Sequence, residues 1–130
     1  MSENSGESSF NKLFSVGDVG LKQGIQEGLF LHPLLLKTAI KRGDSIELLC
    51  NKLGVTKGYL RQIENGKRDV KAISEDFSRA VADYLEIPFV IVLVLAGKLS
   101  IIEAMGMDIL AKYSSNEAFE IIKKYLPLAP

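Results

Sequence analysis

One cysteine, one histidine and no tryptophan occur among the 130 residues. A lone Cys50 cannot close a disulfide within the chain. A lone His32 supplies neither a metal cluster with ligand spacing nor a Ser/His/Asp or Cys/His catalytic set. Neither Gly66-Lys67 nor Gly97-Lys98 has the glycine five positions earlier that a phosphate-cradling loop needs. The sequence therefore points away from an enzyme, and no metal or cofactor is expected. Net charge is also missing: sixteen Lys and Arg balance sixteen Asp and Glu, which excludes a histone-like polycation. The longest apolar run, Ile87 to Ala96, is ten residues broken by Pro88, well short of the ~20 that span a bilayer. It is expected to be a buried helix. The opening MSENSGESSF lacks the basic start and apolar stretch of a secretory signal and the arginines of a transit peptide. With the unpaired cysteine, this makes a reducing, cytoplasmic setting the expectation.

What is present suits one folded domain with an appendage: 47% of residues are hydrophobic and 25% charged. Residues 2 to 9 are all Ser, Glu, Asn or Gly, a composition that buries nothing. Between residues 10 and 31, apolar side chains alternate irregularly with Gly17, Gly20, Gly24 and Gly28. That spacing would place the four glycines on one face of a closely packed helix. Each glycine, however, disfavours a helix by about 1 kcal/mol, so an irregular arm docking through its apolar residues is the expected form. Residues 1–32 are accordingly assigned to a flexible, glycine-containing N-terminal arm.

From Pro33 onward the signals are helical. Pro33 suits the first position of a helix with Leu36, Ala39 and Ile40 inward and Gly43 at its end. Asp44 or Ser45 caps the next helix, with Glu47 available as a reciprocal cap and Ile46, Leu49, Cys50 and Leu53 along one face. Gly54 stops it, Val55 turns to the core, and Thr56 caps a helix running to about Glu64 and closed by Asn65-Gly66. Ser74 starts another, carrying Phe77, Ala80, Val81, Tyr84 and Leu85. Pro88 breaks the chain and opens a helix through Leu95. Ser100 caps a helix with Ile101, Ile102, Met105 and Ile109, and Ser114 or Ser115 one with Ala118, Phe119, Ile122, Tyr125 and Leu126. No strand pattern occurs, so the fold class is all-α, with residues 33–97 as its central domain and 98–130 as additional C-terminal helices.

The charge balance is not uniform. From Lys37 to Lys71 nine basic residues face four acidic ones, a local excess of five positive charges. In the same stretch, a helix meant for the DNA major groove would need a steeply crossing partner helix, a tight glycine turn, apolar inner faces and a polar outer face. Gly54 provides the turn, Leu49, Leu53, Leu60 and Ile63 the inner faces, and Thr56, Lys57, Tyr59, Arg61 and Gln62 an outer face with no Asp or Glu.

Leu-Gly-Val-Thr, then Tyr-Leu-Arg-Gln-Ile-Glu-Asn-Gly-Lys, then the helix from Ile73 to Leu85 and the Ile87-Pro88 break together resemble the helix-turn-helix domain of lambda-repressor-like (XRE-family) transcriptional regulators. The resemblance covers about residues 34–97, half the chain. It implies base readers at Lys57, Gly58, Arg61 and Gln62, with Tyr59 able to touch base or backbone or else to be a buried hydroxyl. It implies phosphate contacts at Thr56, Asn65, Lys67 and Arg68, with Ser45 and Lys41 or Arg42 adding to them. A glycine at position 58 reads no base. Either the backbone approaches DNA closely there, or fewer side chains carry specificity.

Glu64 is expected to be structural, Cys50 a packed core thiol, and His32 part of a linker without a partner. The run from Phe89 to Leu95 is apolar all round, more than one small domain buries on one helix face, so Phe89, Ile91, Val92 and Leu95 are expected at a homodimer interface, extended by the helices 100–112 and 115–126. In the competing arrangement those two helices cover the run within a monomer. The expected function is a dimeric, sequence-specific repressor binding double-stranded DNA at a near-palindromic site, in the cytoplasm at the nucleoid. The rivals are an antitoxin that neutralises a protein partner through the arm or last helices, and a protein-interaction module that has lost DNA binding.

Overall fold

The computed structural model describes residues 17–106 and 111–127, and every regular element among them is helical. In chain order these are α1 (Gly17–Gln26), α2 (Leu31–Arg42), α3 (Ile46–Leu53), α4 (Lys57–Glu64), a single 3-10 turn (Val70–Ala72), α5 (Glu75–Leu85), α6 (Phe89–Leu95), α7 (Ile101–Ala104) and α8 (Ser115–Lys123). The tail expected at residues 2–9, the start of the arm and Ile109 lie outside the described residues.

Helix starts follow from hydroxyl caps. Ser45, Thr56, Ser74, Ser100 and Ser114 each accept the backbone N–H three residues on, which satisfies a donor with no partner inside its own helix. Ser100 with Glu103, and Ser114 with Glu117, close reciprocal capping boxes. Glu47 does not act this way, because it stands one position too early. Asp44, the other capping candidate, instead accepts the Tyr84 hydroxyl at 2.6 Å.

Three helical expectations are corrected. α2 starts at Leu31, so Pro33 occupies its third position, where a missing N–H still costs no intrahelical bond. The inward stripe is then Leu31, Leu35 and Ala39; Leu36 is half-buried and Ile40 is 78% exposed. The helix after Ser100 is described only as Ile101–Ala104, and Ile102 faces solvent. The N-terminal arm is helical from Gly17: in α1, Gly20, Leu21, Gly24 and Ile25 are buried together. Burying a Leu and an Ile yields roughly 1.5–3 kcal/mol each, which offsets the helical penalty of the glycines.

What α1 covers is α6. Ile91, Val92, Val94 and Leu95 have no exposed surface, because α5, α1 and α7 all lie against this short apolar helix. The dimer interface expected at Ile91, Val92 and Leu95 is therefore corrected: these side chains are consumed inside a single chain. Phe89 is half-buried, with the Arg79 guanidinium 4.2 Å from its ring centroid. α8 packs on α7 and reaches α1 through Lys123 Nζ to Asp18 Oδ1 at 3.2 Å and through Lys22 Nζ, 4.8 Å from the Phe119 ring centroid. α3 packs on α5, and α4 packs on α3 and α2.

The loops after α1 and α6 interlock. Gly28 and Gly97 both have φ in the left-handed region, and a Cβ on Gly28 would lie 2.6 Å from Val70 Cγ1 and 2.7 Å from the Ala96 carbonyl oxygen. Gly54 has the same φ sign, with nothing within 4 Å of its missing Cβ. Gly28→Ala thus combines backbone strain with a clash against backbone atoms, and should cost about 3 kcal/mol or more; Gly54→Ala carries the strain alone, about 1–2 kcal/mol. Urea unfolding of the two variants checks the order, and equal losses would contradict the interlock.

Candidate nucleic-acid interface

Two eight-residue helices, α3 and α4, are joined by three residues. Gly54 at φ 73° closes α3 by donating its N–H to Asn51 O, and Val55 N–H returns to Cys50 O at 3.0 Å. Thr56 then starts α4. Leu49, Cys50 and Leu53 sink α3 into the core, while α4 buries Leu60 and half-buries Ile63 and Tyr59. Lys57, Gly58, Arg61 and Gln62 are left on the exposed side. The tight turn and the inward leucines thus present one polar helix face outward.

That face is internally wired. Lys57 Nζ lies 3.1 Å from Glu47 Oε2, both exposed, and the hydrogen bond from Lys57 holds the Glu47 carboxyl below the usual carboxylate range. Sequence reasoning missed this pairing because the partners sit on different helices and meet only through the turn geometry. Arg68 Nε and Nη2 donate to Gln62 Oε1 at 3.2 and 3.0 Å. The Arg68 guanidinium also lies 4.5 Å from the Tyr59 ring centroid, and Tyr59 meets Phe77 edge-on at 5.2 Å. Tyr59 is thus half-buried as a platform under Arg68. Arg61 is exposed, and its guanidinium has no partner among the described residues. A Cβ on Gly58 would meet only Thr56 Oγ1, at 3.7 Å, so packing within the chain does not demand glycine there.

The flanking polar residues cap and follow α3 and α4. Ser45 and Thr56 use their oxygens as acceptors for Leu48 and Tyr59 N–H, which leaves each hydroxyl hydrogen available to an outside acceptor. Asn65 Oδ1 accepts Lys67 N–H at 3.0 Å and Gly66 adopts φ 80°, turning the chain so that Lys67 and Arg68 follow α4 closely. Arg42 has partners within the chain. Its Nη1 donates to the Tyr84 carbonyl, its Nη2 is 3.3 Å from Glu86 Oε2, and its guanidinium lies 4.7 Å from the Tyr84 ring centroid. It clamps α2 to the end of α5.

Cys50 is buried, and desolvation pushes its thiol up, as befits a packing residue. His32 is half-buried in the first turn of α2 rather than in a linker. Burial pushes its imidazole below the ordinary value, and the Glu64 carboxylate at the end of α4 partly opposes this. Folding thus favours neutral His32. The unfolded chain holds more protons between the lowered folded value and about 6.5, so stability rises with pH across that window and levels off above it. The urea midpoint should fall between pH 7.5 and 5.5, and His32→Gln should flatten this slope; an unchanged slope in the variant would contradict the assignment.

A Helix-turn-helix family model matches residues 36–92, from the middle of α2 through α3, α4 and α5 into α6. No curated protein and no solved structure matches the chain. Among the described residues no group of His, Cys, Asp and Glu could hold a metal ion, and no helix is long and apolar enough to cross a membrane. The capped α3–turn–α4 pair, its exposed basic face and the matched span agree: residues 36–92 form a helix-turn-helix domain of the lambda-repressor-like, XRE-family kind, which supports a DNA-binding regulator.

Proposed function

We propose that this protein is a sequence-specific transcriptional repressor that binds double-stranded DNA as a homodimer at a near-palindromic operator, in the cytoplasm at the nucleoid. The observation that carries the reading is the outer face of α4, where Lys57, Arg61 and Gln62 are exposed without an acidic side chain among them. Arg61 and Lys57 suit guanine edges, and Gln62 completes the reading set. Exposed ion pairs open readily, so Glu47 releases Lys57 when a base edge competes for it. Tyr59 acts by supporting Arg68. Ser45, Thr56, Asn65 and Lys67 flank this face with hydroxyl, amide and ammonium donors for phosphates, which set register without reading sequence.

One short helix offers only three or four side chains to the bases. Two protomers on half-sites ~34 Å apart, one DNA turn, would double that readout, and closed two-fold pairing is the commonest form of assembly. The pairing surface lies outside the sealed side chains of α6. Repression fits a small DNA-binding unit because occupancy of a promoter needs no further contact. With a modest local charge excess, each protomer releases few counterions, so affinity falls with salt while base preference persists.

Affinity capture of fragmented genomic DNA, sequenced in parallel for the wild type and the Arg61→Ala, Gln62→Ala double variant, tests the proposal. The wild type should enrich a short near-palindrome with half-sites one turn apart, and the variant should lose it. Equal, motif-free capture by both proteins, or none, would contradict the repressor reading and favour a protein-binding role.

A further inference from the structure

We propose that Arg68, which follows the recognition helix, sets the base preference of Gln62 by turning it into a hydrogen-bond donor only, so that it selects guanine over adenine. The inference rests on the reading above, in which α4 enters the major groove. A glutamine amide pairs with adenine through both ends: its oxygen accepts from N6–H and its nitrogen donates to N7. Here the oxygen is occupied. Arg68 Nε and Nη2 both donate to Gln62 Oε1, at 3.2 and 3.0 Å, and a carbonyl oxygen has two lone pairs. The opposite amide orientation would set an NH₂ group against guanidinium N–H groups, donor against donor, so the chemistry fixes which end faces outward.

Arg68 is held in this position by three contacts. Its guanidinium lies 4.5 Å from the Tyr59 ring centroid, that ring rests edge-on against buried Phe77, and the Arg68 N–H donates to Gln62 O at 3.0 Å. The bonds to Gln62 are charge-assisted and stronger than a neutral pair. What remains outward is the Nε2 amide with two donors, joined by the unused N–H groups of Arg68. Guanine offers two acceptors, O6 and N7, to such a surface. Adenine offers one acceptor and a donor that would be left unpaired in the interface, which is penalised.

Selection of binding sites from a randomised duplex pool tests this with three proteins: wild type, Gln62→Ala and Arg68→Met. The methionine keeps an apolar stem over Tyr59, and circular dichroism verifies that each exposed substitution leaves the fold intact. The base pair whose preference disappears in Gln62→Ala marks the Gln62 contact. At that pair the wild type should prefer G·C over A·T by roughly tenfold or more, and Arg68→Met should shift the preference to A·T. Loss of the Arg68 charge lowers affinity for all sequences alike, so relative preference is the readout. An A·T preference in the wild type, or G·C retained in Arg68→Met, would overturn the proposal while leaving α4 as the reading helix. A motif unchanged in Gln62→Ala would overturn the proposal and leave the reading it rests on standing, whereas no motif enriched by the wild type would overturn both.

Discussion

The fold depends on enclosing α6. Seven consecutive apolar residues, Phe89–Leu95, form a helix with no polar side, and it is covered until Ile91, Val92, Val94 and Leu95 are fully buried and Phe89, Val90 and Leu93 half-buried. α5 covers it from within the matched helix-turn-helix span, α1 from before that span and α7 from after it. Each covering element is short or rich in glycine and would be marginal alone. They are stable because α6 supplies the apolar surface on which they condense. The interlocked Gly28 and Gly97 turns, the Lys98 ammonium donating to the Ile73 carbonyl at 2.8 Å, and the Asp18–Lys123 pair complete the enclosure.

With the inner side chains of α6 buried, α4 keeps one face polar. Its inner residues answer to the core, Leu60 fully and Ile63 and Tyr59 in part. Its outer residues are organised before any ligand arrives: Phe77 supports Tyr59, Tyr59 supports Arg68, and Arg68 orients Gln62. Prior ordering of this kind lowers the entropy cost of fixing long side chains on binding. Arg61 stands outside that column, and Lys57 is tethered to Glu47 from the neighbouring helix. The face therefore mixes a fixed side chain, a tethered one and one without a tether.

The helix-turn-helix was legible in the sequence because its signals are local. Ser45, Thr56 and Ser74 cap within three residues, Gly54 and Asn65-Gly66 punctuate, and the leucines repeat at helical spacing. Long-range burial was not legible. α1 reads as an arm because four glycines penalise a helix locally, while the burial of Leu21 and Ile25 that outweighs them comes from residues about seventy positions away. The inward face of α2 was displaced because its apolar residues Leu34, Leu35, Leu36, Ala39 and Ile40 spread over more than one face, and local spacing does not say that the core takes the stripe Leu31, Leu35 and Ala39. The apolar excess of α6 was correctly noticed, but its partner was misassigned to a second protomer, since an apolar surface does not specify what covers it. Arg42 illustrates the same limit for charge: nothing local in the sequence shows that the fold brings Tyr84 and Glu86 to it.

Contact with DNA should run through the outer face of α4 and its flanking turns. The most direct measurement is backbone amide chemical-shift mapping as short duplex DNA is added at low and then moderate salt. The account predicts shifts concentrated at Ser45–Glu47, Thr56–Gln62 and Asn65–Arg68, weakening as salt rises, with α1 and α8 unmoved. Shifts confined to α1, α7 or α8 with α4 silent, or none at any salt, would contradict it.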